Sequence, residues 1–141
     1  MLTNVQKEFM KHKHLIVRAE AFNTPKHEQI IQDWLNNLIR DIDMKIMMGP
    51  FVKYCDVSGN KGFTGAAIIE TSHVVIHIWD EPKPNLVQLD VYTCSDLDPS
   101  VIADALEKWD CEKIEYKFLD RETGLQDITL EMTSSQKEAI I

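Results

Sequence analysis

The chain has 141 residues, a net charge of −8, 44% hydrophobic and 27% charged residues. That length fits one domain spanning residues 1–141, and the composition is that of a globular chain, not a disordered one. The acidic balance leaves no basic footprint for nucleic acid, and no run of eighteen apolar residues predicts a membrane span.

The opening stretch, MLTNVQKEFMKHKHLIV, lacks the long apolar core and small-residue cleavage site of a secretory signal. A cytoplasmic protein is expected. An acidic surface mildly attracts a cationic small molecule, although charge alone also serves solubility. Cys55, Cys94 and Cys111 are odd in number and lack CxxC spacing, which predicts neither a disulfide framework nor a zinc knuckle. Cys55 and Cys111 read as small core residues.

HLIVRAEAF (14–22) reads as a strand. In NTPKHEQIIQDWLNNLIRDID, Thr24 is the expected N-cap and Pro25 the first helical residue. Ile30, Ile31, Trp34, Leu35, Leu38, Ile39 and Ile42 recur at helical spacing and predict one sheet-facing side. MKIMMGPFVKYC reads as a strand interrupted by the Gly49-Pro50 turn signal, and DVSGNKG as a loop. FTGAAIIE (63–70) and HVVIHIW (73–79) are close enough to pair as a hairpin. DEPKPN (80–85) is a Pro-rich turn, and LVQLDVYTC (86–94) alternates as a strand. Asp98 and Pro99 open a second helix, with Val101, Ile102, Ala105, Leu106 and Trp109 on one face. KIEYKFL (113–119) is the last predicted strand, and the polar tail from Asp120 is expected to be partly mobile.

This order predicts an α+β fold: a two-layer sandwich of an antiparallel sheet with two helices on one face. Val74, Val75, Ile76 and Ile78 place apolar side chains on both sides of one strand. A second copy covering the far face, a homodimer, is the expectation.

IETSHVVIHIW (69–79) demands more than packing. In a strand, His73, Val75, His77 and Trp79 share one face. Strand histidines are commonly structural. His73 and His77 are about 13 Å apart at about 3.3 Å per residue, too far to share one metal ion. ETSHV is not the GxSxG elbow of a serine hydrolase. What remains is Ser72 at a tight turn near a histidine, where its hydroxyl can attack the peptide carbonyl just before it. Strain in that backbone favours the rearrangement.

GFTGAAIIETSHVVIHIWDE, followed by LDVYTC and DLDP, resembles the self-processing S-adenosylmethionine decarboxylases of the short prokaryotic type. HLIVRAEAF resembles their opening strand, so the likeness runs from about His14 to Leu119. The resemblance implies a proenzyme that cuts itself between Thr71 and Ser72. Residues 1–71 would become the β chain and 72–141 the α chain, with Ser72 converted to a pyruvoyl group. That carbonyl would form a Schiff base with the substrate amine and act as electron sink for decarboxylation, as pyridoxal phosphate does elsewhere. By the same resemblance, His77 is the processing base and Thr64 its hydroxyl partner, standing where the family usually has serine. If the turn is centred between Glu70 and Thr71, Thr64 lies opposite His77. Cys94 matches the catalytic proton donor. Glu81 matches the acid that holds the substrate ribose, since a carboxylate can accept two hydrogen bonds from a diol. Trp79 is a wall of the active site or part of the core. Tyr54 and Phe51 are the candidates to stack on adenine.

The implied product is the aminopropyl donor for spermidine synthesis. Two other readings stay open at this point. The same chemistry could serve ornithine or arginine, and a non-cleaving relative could bind a nucleoside or a partner subunit.

Overall fold

The computed structural model describes residues 11–129. The strands are β1 (Lys13–Ala21), β2 (Ile46–Cys55), β3 (Gly62–Ile69), β4 (Ser72–Trp79), β5 (Asn85–Thr93), β6 (Cys111–Asp120) and β7 (Gln126–Asp127). They form one sheet in the order β2-β3-β4-β5-β1-β6-β7, and every neighbouring pair is antiparallel. Helices α1 (Glu28–Asp41) and α2 (Pro99–Glu107) lie on one face. The expected two-layer α+β sandwich is therefore present.

Strict alternation builds the layers. In β4, Ser72, Val74, Ile76 and Ile78 are buried, while His73, Val75, His77 and Trp79 are half-buried. In β5 the same period buries Val87, Leu89 and Val91 and leaves Gln88, Asp90 and Tyr92 on the far face. Against the buried parity α1 packs Ile31, Trp34, Leu35, Leu38 and Ile39. Helix α2 adds Ile102, Ala103 and Leu106. The rings of Trp34 and Trp109 meet at 4.5 Å, and Trp34 Nε1 donates to Ala105 O at 3.1 Å. Such a core is sensitive to single methylene changes because it is close-packed.

Asp98 caps α2 as expected, accepting from Ser100 N–H, with Pro99 in the first turn. Helix α1 starts later than expected, at Glu28 after His27. Thr24 is not its cap. That side chain is buried, and its hydroxyl donates to Asn85 Oδ1 at 2.6 Å, tying the connection before α1 to the start of β5. Nor does Gly49-Pro50 break β2. The strand continues through a register irregularity between Met48 and Phe51. Gly49 has φ +91°, and a Cβ there would lie 2.8 Å from Ala66 O, so glycine is required. An edge strand tolerates the missing proline N–H.

The two-residue β7 extends the sheet beyond the last predicted strand. The segment read as lacking a secretory signal lies mostly outside the described residues, as does the end of the polar tail. Among the described residues no helix is long and apolar enough to cross a membrane.

The face away from the helices carries Ile16, Phe51, Ile68 and Val75 among polar groups. Phe51 is 64% exposed, Ile68 45% and Ile16 40%. No element of the described residues covers it.

Candidate active site

The β3–β4 turn is the shortest available. Ile69 pairs with Ser72, leaving Glu70 and Thr71 between them. Thr71 has φ +50°. A β-branched residue in the left-handed region is strained by about 1–3 kcal/mol. The strained residue is thus the one whose carbonyl precedes Ser72. Its hydroxyl donates to Glu70 O at 2.8 Å, which closes the turn.

Ser72 is buried, and its Oγ accepts from Cys94 N–H at 2.8 Å. A backbone N–H aimed at that oxygen favours negative charge developing on it. Cys94 sits just past the end of β5, and its thiol donates to Glu70 O at 3.3 Å. Thr71, Ser72 and Cys94 therefore meet at one end of β4.

Thr64 and His77 meet elsewhere. They are register partners across β3 and β4, and Thr64 Oγ1 lies 2.9 Å from His77 Nδ1. The Trp79 ring centre is 5.8 Å from that of His77, and its Nε1 donates to Asn60 Oδ1 at 2.7 Å. These side chains line a depression of about 370 Å³ with Cys55 and Phe63. Glu81 Oε1 accepts from Gly59 N–H and Lys61 N–H at 3.1 and 3.2 Å, so it holds the β2–β3 loop against the Pro-rich turn.

One chain does not unite the two groups. Ser72 and His77 are separated by five residues, roughly 16 Å along a strand, and point to opposite faces. Of the aromatic candidates, Phe51 lies on the open face, paired with Ala66. Tyr54 instead packs edge-on to Phe63 and donates to Asp80 Oδ2 at 2.9 Å. That bond and the nearby carboxylate charge push its phenol up to about 12. Burial pushes the Cys111 thiol up to about 11, assisted by Glu107 and Asp110.

A further cluster escaped the sequence reading. Asp90 Oδ1 lies 2.9 Å from His73 Nε2 and 2.8 Å from His14 Nε2. Arg121 lies 3.3 Å from His14 Nδ1 and stacks 4.2 Å over the Tyr92 ring. The only available signal was parity: His14, Asp90 and Tyr92 all sit at outward positions, but nothing in the sequence states which strands adjoin. The two imidazoles and the carboxylate have the spacing of a metal-ligand set. Arginine can only donate, however, so His14 Nδ1 accepts and Nε2 carries the hydrogen. In that tautomer His14 turns a hydrogen, not a lone pair, toward Asp90.

Fold and turn together define a class: a two-layer sandwich with a serine hydroxyl behind a strained peptide and a thiol at the same strand end. The model of the S-adenosylmethionine decarboxylase family matches residues 13–122. An S-adenosylmethionine decarboxylase proenzyme of Clostridium botulinum (strain Hall) is 34% identical over 112 residues, covering 77% of this chain and 91% of the relative. One from Bacillus velezensis is 46% identical over 59 residues, 39% of this chain and 45% of the relative. The crystal structure of the adenosylmethionine decarboxylase from Aquifex aeolicus shares the fold, with a TM-score of 0.61 at 20% identity over 83% of this chain and 98% of that one. The chain belongs to the S-adenosylmethionine decarboxylase family.

Proposed function

We propose that this protein is a proenzyme that cuts itself between Thr71 and Ser72 and then decarboxylates S-adenosylmethionine. The observation that carries the reading is the left-handed Thr71 preceding a buried Ser72 whose Oγ accepts from Cys94 N–H. Ser72 Oγ attacks the Thr71 carbonyl carbon, and the amide C–N bond gives way to an ester. Loss of the Cα proton of residue 72 together with the Oγ–Cβ bond releases residues 1–71 as a free carboxylate and leaves a Cα=Cβ double bond, whose enamine tautomerises to an imine. Water then replaces the former amide nitrogen, which departs as ammonia, and residue 72 ends as a pyruvoyl ketone. When present, that ketone supplies the electron sink for loss of carbon dioxide from an α-amino acid.

The chain's own residues supply the rest. The Cys94 N–H stabilises charge at Ser72 Oγ, and the Cys94 thiol, at the same strand end, returns a proton to the decarboxylated carbon. His77, oriented by Thr64, is the base for elimination. Glu81 holds the ribose hydroxyls, while Trp79 and Phe51 offer apolar walls on the open face. Because His77 and Ser72 diverge within one chain, a homodimer completes the site. A two-fold axis across β4 near Val75 would bring the residue-72 end of one strand near the His77 end of the other, an approach between strand ends because the Ser72 side chain itself faces the helices. The exposed Ile16, Phe51 and Ile68 provide the apolar surface such packing buries. The product is an aminopropyl donor for spermidine synthesis, made in the cytoplasm.

The test is carbon dioxide release from S-adenosylmethionine, ornithine and arginine, using purified protein and its Ser72→Ala variant. Release from S-adenosylmethionine alone, absent in the variant, is expected. Release from ornithine or arginine instead would move the substrate assignment. Release unaffected by the variant would overturn the mechanism.

A further inference from the structure

We infer that Asp90 is a positioning residue that holds the new chain end in place after the cut. This rests on the self-cleavage reading above. In the intact chain residue 72 has three restraints: the covalent turn, its pairing with Ile69 on β3, and the Cys94 N–H bonded to Ser72 Oγ. Cleavage removes the first. Oγ departs with residues 1–71, which removes the third. The residue-72 nitrogen leaves as ammonia, which deprives the ladder of a donor.

His73 is then the first residue with both a backbone N–H and an anchoring side chain. Its Cα partners are Ile68 on β3 and Tyr92 on β5, and its ring lies 5.6 Å from the Tyr92 ring. Its Nε2 is held by Asp90 Oδ1 at 2.9 Å. The same oxygen takes His14 Nε2 at 2.8 Å, and His14 is braced by Arg121. The clamp therefore spans both products: His14 belongs to residues 1–71, and Asp90 and His73 to residues 72–141. His14 is the best-buried member, with 15% of its side chain exposed, while His73 and Asp90 keep 36% and 38%. An end that frays by about 1 Å loses alignment with its proton donor, which can slow turnover about 100-fold.

The experiment compares full-length wild type with Asp90→Asn, Asp90→Glu and Asp90→Asn in a Ser72→Ala background. Asparagine keeps the shape and an oxygen with two lone pairs but removes the negative charge, so both imidazole bonds lose their charge assistance and weaken. Asp90→Asn is expected to cut like wild type, since the covalent turn holds the precursor. The cut enzyme should then lose about 10- to 100-fold in kcat with KM within about twofold, and Asp90→Glu should recover part of the loss. Amide exchange over residues 73–76 should rise in cut Asp90→Asn and stay unchanged in the uncut Ser72→Ala background. Wild-type kcat in cut Asp90→Asn overturns the inference. So does equal loss of protection in the uncut background, which would make Asp90 an ordinary support of the fold. If wild type itself is never cut, the self-cleavage reading fails and this inference with it. A cut, active wild type with a silent Asp90→Asn removes the Asp90 role alone.

Discussion

Ser72 and His77 leave the same strand on opposite faces, five residues apart. A base and a nucleophile so placed cannot meet in one chain, so the account requires the two copies to share the work. Ser72→Ala and His77→Ala chains should each remain uncut alone. Co-expressed, they should form mixed dimers in which the Ser72→Ala copy lends its His77 to the other. The His77→Ala chain should then appear cut, while the Ser72→Ala chain stays whole. Masses showing both chains intact would contradict a shared site.

The same arrangement depends on the uncovered sheet face. Ile68, 45% exposed and paired with Met48 and His73, points outward. Ile68→Glu should leave folding intact, because no core contact is lost. It should convert the proposed dimer to a monomer in sedimentation, because burying an unpaired charge between the two open faces is costly. A dimer unaffected by this change would place the contact elsewhere.

Strain at Thr71 is the local drive for rearrangement. Glycine accepts φ +50° without that strain. Thr71→Gly should stabilise the precursor by about 1–3 kcal/mol and slow cutting by about 5- to 160-fold if that energy is released on the way to the transition state. Time-resolved fragment masses read this directly. Unchanged cutting would show that the strain is incidental.

Cys94 contributes two groups, and one substitution separates them. Cys94→Ala keeps the backbone N–H that reaches Ser72 Oγ but removes the thiol. Cutting should persist, while turnover falls by about 100-fold or more, the usual effect of losing a positioned proton donor. Normal turnover would remove the thiol from the mechanism.

Much of this was legible in the chain and some was not. Period-two alternation in 73–79 and 86–94 revealed the sheet, and helical spacing from Ile30 to Ile42 revealed α1. The Ser-His pair, and Thr64 opposite His77, followed from local spacing and a two-residue turn. Thr24 misled because a hydroxyl before proline suits an N-cap, yet the long-range partner Asn85 claimed it. Gly49-Pro50 misled because an edge strand can absorb a bulge that a central strand cannot. The Asp90 clamp was invisible because β1, β4 and β5 adjoin only through the sheet order, which no local pattern encodes. The facing directions of Ser72 and His77 were implicit in parity, but their consequence needed the buried face to be known.

Cys111 gives a pH prediction. Its thiol is raised from 9.0 to about 11, chiefly by burial. A raised folded pKa means the folded chain keeps its proton while the unfolded chain loses it between those values. The contribution to stability is complete below about pH 9, declines as pH rises toward 11, and is exhausted above that. Unfolding midpoints should drop over this window more in wild type than in Cys111→Ala, and at pH 8.5 Cys111 should alkylate far more slowly folded than denatured. Equal midpoints, or equal labelling, would contradict the burial argument.

The most direct measurement is a denaturing mass spectrum of freshly purified, active protein, with and without a carbonyl-reactive hydrazine. Two chains, residues 1–71 and 72–141, with the second bearing a ketone that takes one hydrazine, are the predicted result. An active preparation made solely of the uncut 141-residue chain, unreactive to hydrazine, would contradict it.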